Sequence, residues 1–463
     1  MIRTFVLLVC FASPAIPAEP LRVEALAALK KSATFQREKA ARRGGYVYYS
    51  TPDLKERWGE GKAAEDTIFV QPPGTPTVGM AYLRAFAATG DTFYLDAARE
   101  TAESLVYGQL QSGGWTQTIH FGPAKRLGKY RNGKGGGWNV SSLDDGQTQA
   151  ALQFLFGADK ALGFKNEAVH EAARYGLKAL LAAQFANGAF PQGWTGPSEK
   201  QPVMKAKFPD YDWKREGKVK DYWAKYTLND NLAGSVLATL LAAQSAYADK
   251  ESKAALAKLG DFLILAQMPA PQPGWCQQYS FDMVPIWARK FEPPAITGWE
   301  SQDVLETLIA IARFTGDDKY LAPIPAALAY FKKLLLKDGT IARYYEFKTD
   351  KPLYMDAKYQ LTYDDSAAPA HYGWKQPARF GAIEKDHLEA KAGRGPAPAP
   401  KVSADDVRRI VKELDAEGRW ISIYAGERLV GQPKFAEGFR YVSSAVFARH
   451  AEVLSAYLLE TGE

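Results

Sequence analysis

Cysteine is almost missing from this 463-residue chain, which holds only Cys10 and Cys276. Cys10 lies in a stretch that reads as a removable leader, so the mature chain keeps one cysteine and can form no internal disulfide. Stability must then come from a large buried core, which this length can supply. Histidine is scarce as well. His120, His170, His371, His387 and His450 are scattered without the spacing of a zinc site. No later stretch is long and apolar enough to span a bilayer. Net charge is only +6, and the basic residues are dispersed with no basic arm, which argues against nucleic acid as a partner. Aromatics are plentiful by contrast, with 11 Trp and 24 Tyr. They suit a core and a carbohydrate cleft equally, and decide nothing alone.

Residues 1–18 have the order of a secretory signal: Arg3, an apolar run from Phe5 to Ala12, and the small-residue site Ala15-Ile16-Pro17-Ala18. The expectation is an exported chain, periplasmic or secreted, with no membrane attachment after cleavage. Nothing demands more than a monomer.

The strongest pattern is a repeat. Gln109-Leu110-Gln111-Ser112-Gly113-Gly114-Trp115 returns as the run from Gln184 through Gly188-Ala189-Phe190-Pro191-Gln192-Gly193-Trp194. It recurs from Gln267 to Pro273-Gly274-Trp275, and more weakly as Lys337-Asp338-Gly339-Thr340-Ile341. Trp115, Trp194 and Trp275 are spaced by 79 and 81 residues, room for a helix pair and its connections. Thr89-Gly90-Asp91 and Thr315-Gly316-Asp317 mark the joint inside a pair. Stacked pairs bury a core that one pair cannot, so the fold expected is all-α: an incomplete α/α toroid with short strands and long loops on one rim. Residues 19–463 form one such domain on this reading, with core repeats over about 75–375 and further helices over 403–460. The short strands are expected at 116–119, 276–279 and 343–347. Gly122 to Val140, rich in Gly, Lys and Arg, reads as a long loop beside the rim, functional or mobile.

Three clusters carry chemistry. Leu143-Asp144-Asp145-Gly146 and Leu228-Asn229-Asp230-Asn231 stand at equivalent helix openings. Either one alone is an ordinary acidic helix start. Brought side by side by stacking, Asp144, Asp145 and Asp230 offer hard oxygen ligands of the kind calcium takes. The third cluster, Ala288-Arg289-Lys290-Phe291-Glu292-Pro293-Pro294, presents two cations on a rigid loop just before a helix. Alone, it is equally a solvated loop with Arg289 paired to Glu292 or Glu300.

These segments, with the glycine-aromatic turns and Arg343-Tyr344-Tyr345-Glu346, resemble the signature segments of the family 10 pectate lyases, in the right order from about Gly44 onward. The resemblance implies an incomplete α/α toroid that cleaves polygalacturonate, an anionic polysaccharide, by β-elimination with Ca2+. On matching positions Arg289 would be the base, and Asp144 and Asp230 would hold the metal. Asp145 stands where Asn is expected. Arg343, Lys290, Lys225 and Glu300 complete the candidate site as substrate contacts. Upstream of Tyr372-Gly373-Trp374, where arginines are expected to grip substrate carboxylates, the chain has Ala368-Pro369-Ala370-His371. Arg343 or a residue of the 122–140 loop would then take over that contact, or substrate preference differs.

An arginine base needs its pKa, normally above about 12, lowered by about three units, roughly 4 kcal/mol. Lys290, the metal and desolvation are expected to supply that push, leaving an alkaline optimum. Two other readings fit the same residues. One is an inverting glycoside hydrolase using Glu292 or Glu300 against Asp144, with carboxyl groups about 6.5–9.5 Å apart. The other is a non-catalytic polyuronate-binding toroid in which Arg289 and Arg343 only grip.

Overall fold

A computed structural model describes residues 20–123, 127–216 and 219–462. The leader expected over 1–18 lies outside the described residues. Among the described residues thirteen α-helices follow in order: α1 (Pro20–Phe35), α2 (Thr75–Thr89), α3 (Thr92–Gly108), α4 (Gln147–Ala161), α5 (Glu167–Ala183), α6 (Trp213–Glu216), α7 (Leu232–Tyr247), α8 (Lys250–Ala266), α9 (Gly298–Thr315), α10 (Ile324–Phe331), α11 (Phe380–Lys391), α12 (Ala404–Glu413) and α13 (Ser444–Glu460). Helices α13, α2, α4, α7, α9 and α11 pack in series as the inner arc. Helices α3, α5 and α8 pack against one another outside it. Among the described residues no substantial packing joins α11 to α13, so the ring is incomplete, as expected.

Local chemistry sets the joints. Gly90 and Gly316 adopt φ of 68° and 72° and end α2 and α9, a left-handed cap that costs glycine little. Asp91, Asn166 and Asp249 then cap α3, α5 and α8 by accepting from a backbone N–H in the first turn. Asp317 does the same at Lys319, so Asp317-Asp318 is a cap. The inner helices bury one face, for example Val78, Ala81, Tyr82 and Ala85 on α2, and one apolar core runs from Leu21 to Leu458.

The glycine-aromatic turn is the repeating joint. Outer helices α3, α5 and α8 each end one residue before a glutamine: Gln109, Gln184 and Gln267. Each of these side chains donates to two backbone carbonyls, Gly113 and Ala172, Gly188 and Ala255, and Pro273 and Pro323. That ties the turn to the neighbouring repeat. Trp115 and Trp275 are fully buried, their indole N–H donating back to Leu105 and Leu263 at 2.9 and 2.7 Å. The middle repeat corrects the sequence reading. By hydrogen bonding, Phe185 N to Ala189 O matches Leu110 N to Gly114 O, so Phe190, not Trp194, is the counterpart of Trp115. Trp194 sits on the following strand and donates to Ser112 O. Ile341 and Trp420 occupy the same place in two further turns, at Gly339 and Gly418, both with positive φ.

Short antiparallel pairs line the rim: Ser141–Ser142 with Gly193–Trp194, Tyr226–Thr227 with Gln278–Tyr279, and Ile296–Thr297 with Tyr344–Tyr345. The expected strands fall within two residues of their places. Residues 127–131 are packed, since Leu127 and Tyr130 are buried and Arg131 bonds Glu171 and Gln109, whereas residues 132–138 are exposed. Several elements had no sequence expectation, α11 of the inner arc among them, and two of these join the chain ends. One is α1, which packs on α12 and α13. The other is a four-stranded sheet from both chain ends, Tyr49–Ser50 and Arg57–Trp58 with Ile421–Ile423 and Arg440–Ser443.

Candidate active site

The two acidic openings are built alike. Ser142 N and Thr227 N bond the carbonyls of Trp115 and Phe190, and Leu143 N and Leu228 N bond those of Gln192 and Gln277. The chain then makes one tight turn before the helix proper, Asp144–Gly146 and Asn229–Asn231. Asp145 and Asp230 are left-handed in it, with φ of 47° and 50°, a conformation that Asp and Asn tolerate better than most residues. Carboxylate oxygens of Asp144, Asp145 and Asp230 lie within 4.8 Å of one another. Sequence-distant acids therefore meet, as the repeat predicted.

Amides hold them. Gln192 Nε2 donates to Asp144 Oδ1 at 2.7 Å, Gln71 Nε2 to Asp145 Oδ2 at 3.1 Å, and Asn229 Nδ2 to Asp230 Oδ2 at 2.6 Å. Gln71 also donates to Glu60 at 2.9 Å. Sequence reasoning passed over these partners, yet a signal was present: Gln117, Gln192 and Gln277 each stand two residues after the turn aromatic. The Asp144 carboxyl is shifted upward by burial and by Asp230, with Gln192 and Arg289 opposing. Asp145 is pushed up to about 7 by desolvation, then by Asp144, Asp230 and Glu60. Because Asp145 is open to solvent, the neighbouring carboxylates matter more in that push than desolvation does. Crowded anions of this kind, all hard oxygen donors, fit a divalent cation such as calcium, which would relieve their repulsion.

Arg289 faces the acids, its Nη2 3.9 Å from Asp230. Its Nε and Nη2 are bonded to Glu292 at 2.8 and 2.5 Å, and Nη1 has no hydrogen-bond partner among the described residues. Tyr372 OH also donates to Glu292, at 3.2 Å. Desolvation lowers the Arg289 pKa, but the bond and charge of Glu292 outweigh it and the net shift is upward. The expected downward push from desolvation is thus present but outweighed, and Lys290 does not reinforce it: exposed, it turns its ammonium onto the Tyr359 ring at 3.7 Å.

Two predicted substrate contacts lie beneath the cleft instead. Glu300 is 0% exposed and Arg343 5%. Arg343 Nη2 reaches Glu300 Oε1 at 2.5 Å and Asp230 Oδ1 at 3.2 Å, with its guanidinium 4.3 Å from the Tyr372 ring centroid. Arg343 therefore positions Asp230 and Glu300 positions Arg343, both too deep to meet a polymer. The reason is local. Helix α9 starts without the extra left-handed turn, so its first-turn acid points inward. Lys225 is half-buried against Phe281, 3.8 Å from the ring centroid, in a groove with Trp194 and Trp223 that Asp144, Asp145 and Asp230 do not line. Arg131 of the packed loop is engaged on α5, so it does not supply the missing arginine contact. With Glu292 and Glu300 both committed to arginines, the hydrolase reading loses its carboxylic acids.

Residues 124–342 match a family model described as pectic acid lyase. No curated protein matches at a significant level. Among solved structures, a family 10 polysaccharide lyase from Cellvibrio cellulosa is 21% identical, over 67% of this chain and 95% of that one, with a TM-score of 0.47. Its D189A mutant in complex with trigalaturonic acid gives 21% identity, 68% and 97% coverage and 0.46. A cellobiose 2-epimerase from Bacillus thermoamylovorans gives 14%, 94% and 98%, and 0.46. At such scores these likenesses say nothing of the site.

Proposed function

We propose that this chain, whose residues 124–342 match a family model described as pectic acid lyase, is a polysaccharide lyase cleaving polygalacturonate by calcium-dependent β-elimination. The observation that carries the reading is the meeting of Asp144, Asp145 and Asp230 with the Arg289 guanidinium beside Asp230. When bound by these carboxylates, calcium would supply positive charge next to the uronate carboxylate, where negative charge grows as the C5 proton leaves.

The chain's own residues do the rest on this reading. Gln192, Asn229 and Arg343 fix the acids before substrate arrives, so orientation costs nothing at the moment of reaction. Arg289 takes the C5 proton through Nη1, and the C4 oxygen departs to leave a double bond. Glu292 makes this harder, since it favours the charged guanidinium. Deprotonation therefore requires high pH, and below the arginine's pKa the rate should rise about tenfold per pH unit. A rate that is flat between neutral and pH 10 would remove Arg289 from the role of base.

Purified protein with polygalacturonate, with and without a chelator, tests the function through ultraviolet absorbance of the unsaturated uronide. Calcium-dependent growth of absorbance is the expected result. Reducing ends without absorbance would mean hydrolysis, and binding with neither would mean a carbohydrate-binding toroid.

A further inference from the structure

The C-terminal segment 424–438 carries an arginine that the chemistry above does not use. This segment leaves the strand Ile421–Ile423 and returns to Arg440–Ser443, and its ends are joined by Tyr424 N to Phe439 O and Gly438 N to Tyr424 O, both at 2.9 Å. Phe435 fixes it from below, with ring centroids 5.1 Å from Trp58 and 4.4 Å from Phe439. Tyr49 OH donates to Val430 O at 3.2 Å. The strap therefore rests on the hairpin that carries Glu60. Its other side reaches the opposite wall: Arg428 Nη2 donates to His371 O at 2.6 Å, and Gln432 Nε2 approaches the same oxygen at 3.5 Å.

Arg428 is exposed and has no carboxylate partner among the described residues. Its neighbour Glu427 is occupied by Ala425 N and Tyr441 OH. Lys290, also exposed, has no acid partner either. Between them stands His371, its ring 5.2 Å from Phe291 and 5.9 Å from Tyr359, with Lys290 over Tyr359. Arg428, Lys290 and Arg289 all act electrostatically on that histidine, and with desolvation they lower its pKa. Glu292 neutralises only Arg289. What remains is a pair of cations without acid partners flanking aromatic rings, of which Phe291 lies 5.0 Å from the Arg289 guanidinium. A guanidinium anchored by one nitrogen keeps its others for a carboxylate fork.

We propose that Arg428, held by the strap against His371, forms with Lys290 a subsite for a uronate carboxylate of the polymer, and so selects unesterified over methyl-esterified chains. This deepens the lyase reading and rests on it for the identity of the polymer. The test is affinity electrophoresis of the full chain through gels holding either unesterified polygalacturonate or highly methyl-esterified pectin. Arg428→Gln should bind the unesterified polymer about tenfold more weakly, equivalent to about 1.4 kcal/mol, with little change on the esterified one. Arg428→Lys, which keeps the charge but not the fork, should fall between wild type and Arg428→Gln on the unesterified polymer and match wild type on the esterified one. Equal loss on both polymers would mean that Arg428 merely pins the His371 loop, and no loss on either would mean that it touches no substrate; both overturn the subsite. Matching melting temperatures confirm that the variants are folded. Since binding is read without turnover, a wild type that yields no unsaturated product would sink the lyase reading and leave the Arg428 comparison to be decided on its own.

Discussion

The rim openings before α4 and before α9 use the same backbone joint and put their acids to opposite ends. In both, a strand residue bonds the carbonyl of the buried turn residue, Ser142 to Trp115 and Thr297 to Trp275. In both, a hydroxyl of the following helix accepts from that residue's N–H, Thr148 at Trp115 and Ser301 at Trp275. Six positions separate Ser142 from Thr148 but only four separate Thr297 from Ser301. The two extra residues are the left-handed turn with Asp144 and Asp145, and they swing carboxylates out to the cleft. Without them, Glu300 points inward and is sealed under Arg343. The lesson is that an acid at a helix start acquires its role from the two residues of slack before it, not from its place in the repeat.

The sharpest way to break that comparison is to remove carboxylates from each kind of opening. Asp144→Ala and Asp230→Ala should each lower calcium-dependent turnover by at least about 10³, roughly 4 kcal/mol of barrier, measured by uronide absorbance in saturating calcium. Glu300→Gln, which keeps the shape and the bond to Gln277, should leave turnover within about tenfold. Equal losses at Asp230 and Glu300 would mean that the inward acid is as much a part of the chemistry as the outward ones. Arg289→Ala should also abolish turnover, while leaving affinity for polygalacturonate within about tenfold (about 1.4 kcal/mol). A comparable loss of affinity would make it a gripping residue.

Next in size is stability. Arg343→Met leaves Glu300 buried without its cation, and breaking a buried pair from one side typically costs about 3–5 kcal/mol. Denaturant unfolding should show a loss in that range. Pairing the change with Glu300→Gln should recover a large part of it, because the stranded charge goes with its partner. An additive double variant would show that the two residues are not coupled, and that Arg343 is held by Asp230 and Asn229 instead.

The repeat was legible in the sequence because it is written in residues with few alternatives: a glycine that must be left-handed at 113, 188 and 339, a buried turn residue, and an N-cap acid after Gly90 and Gly316. The meeting of Asp144, Asp145 and Asp230 followed from it. Depth was not legible. Arg343 and Glu300 look like surface chemistry in a string of letters, and only the missing turn before α9 buries them. Trp194 misled for a related reason, since an aromatic four residues past Phe190 preserves the spacing but sits on a different strand. The sheet that joins the chain ends left little trace, because its strands are two to four residues long and nearly four hundred positions apart, with Tyr49 pairing Ser443.

The smallest expected effect concerns the acid that departs from the resemblance. Asp145 shares its left-handed turn with Asp144 but is solvent-exposed, and its partners are Gln71 and three repelling carboxylates. Asn suits the same φ and keeps an oxygen that can face a cation, so Asp145→Asn changes charge and little else. Solvent screening limits the repulsion relieved, and chelator-treated protein near pH 8 should gain no more than about 1 kcal/mol in stability. The sign follows from the raised carboxyl: its folded pKa of about 7 exceeds the ordinary value near 4. The wild-type group therefore favours the fold at low pH and loses that contribution as pH rises through 7, a slope that the asparagine removes. Calcium affinity should fall by about tenfold with turnover at saturating calcium within a few-fold, read by titration of the absorbance rate. A collapse of turnover at saturating calcium would instead put Asp145 on a par with Asp144 and Asp230, and the two residues of slack would then serve two indispensable ligands rather than one.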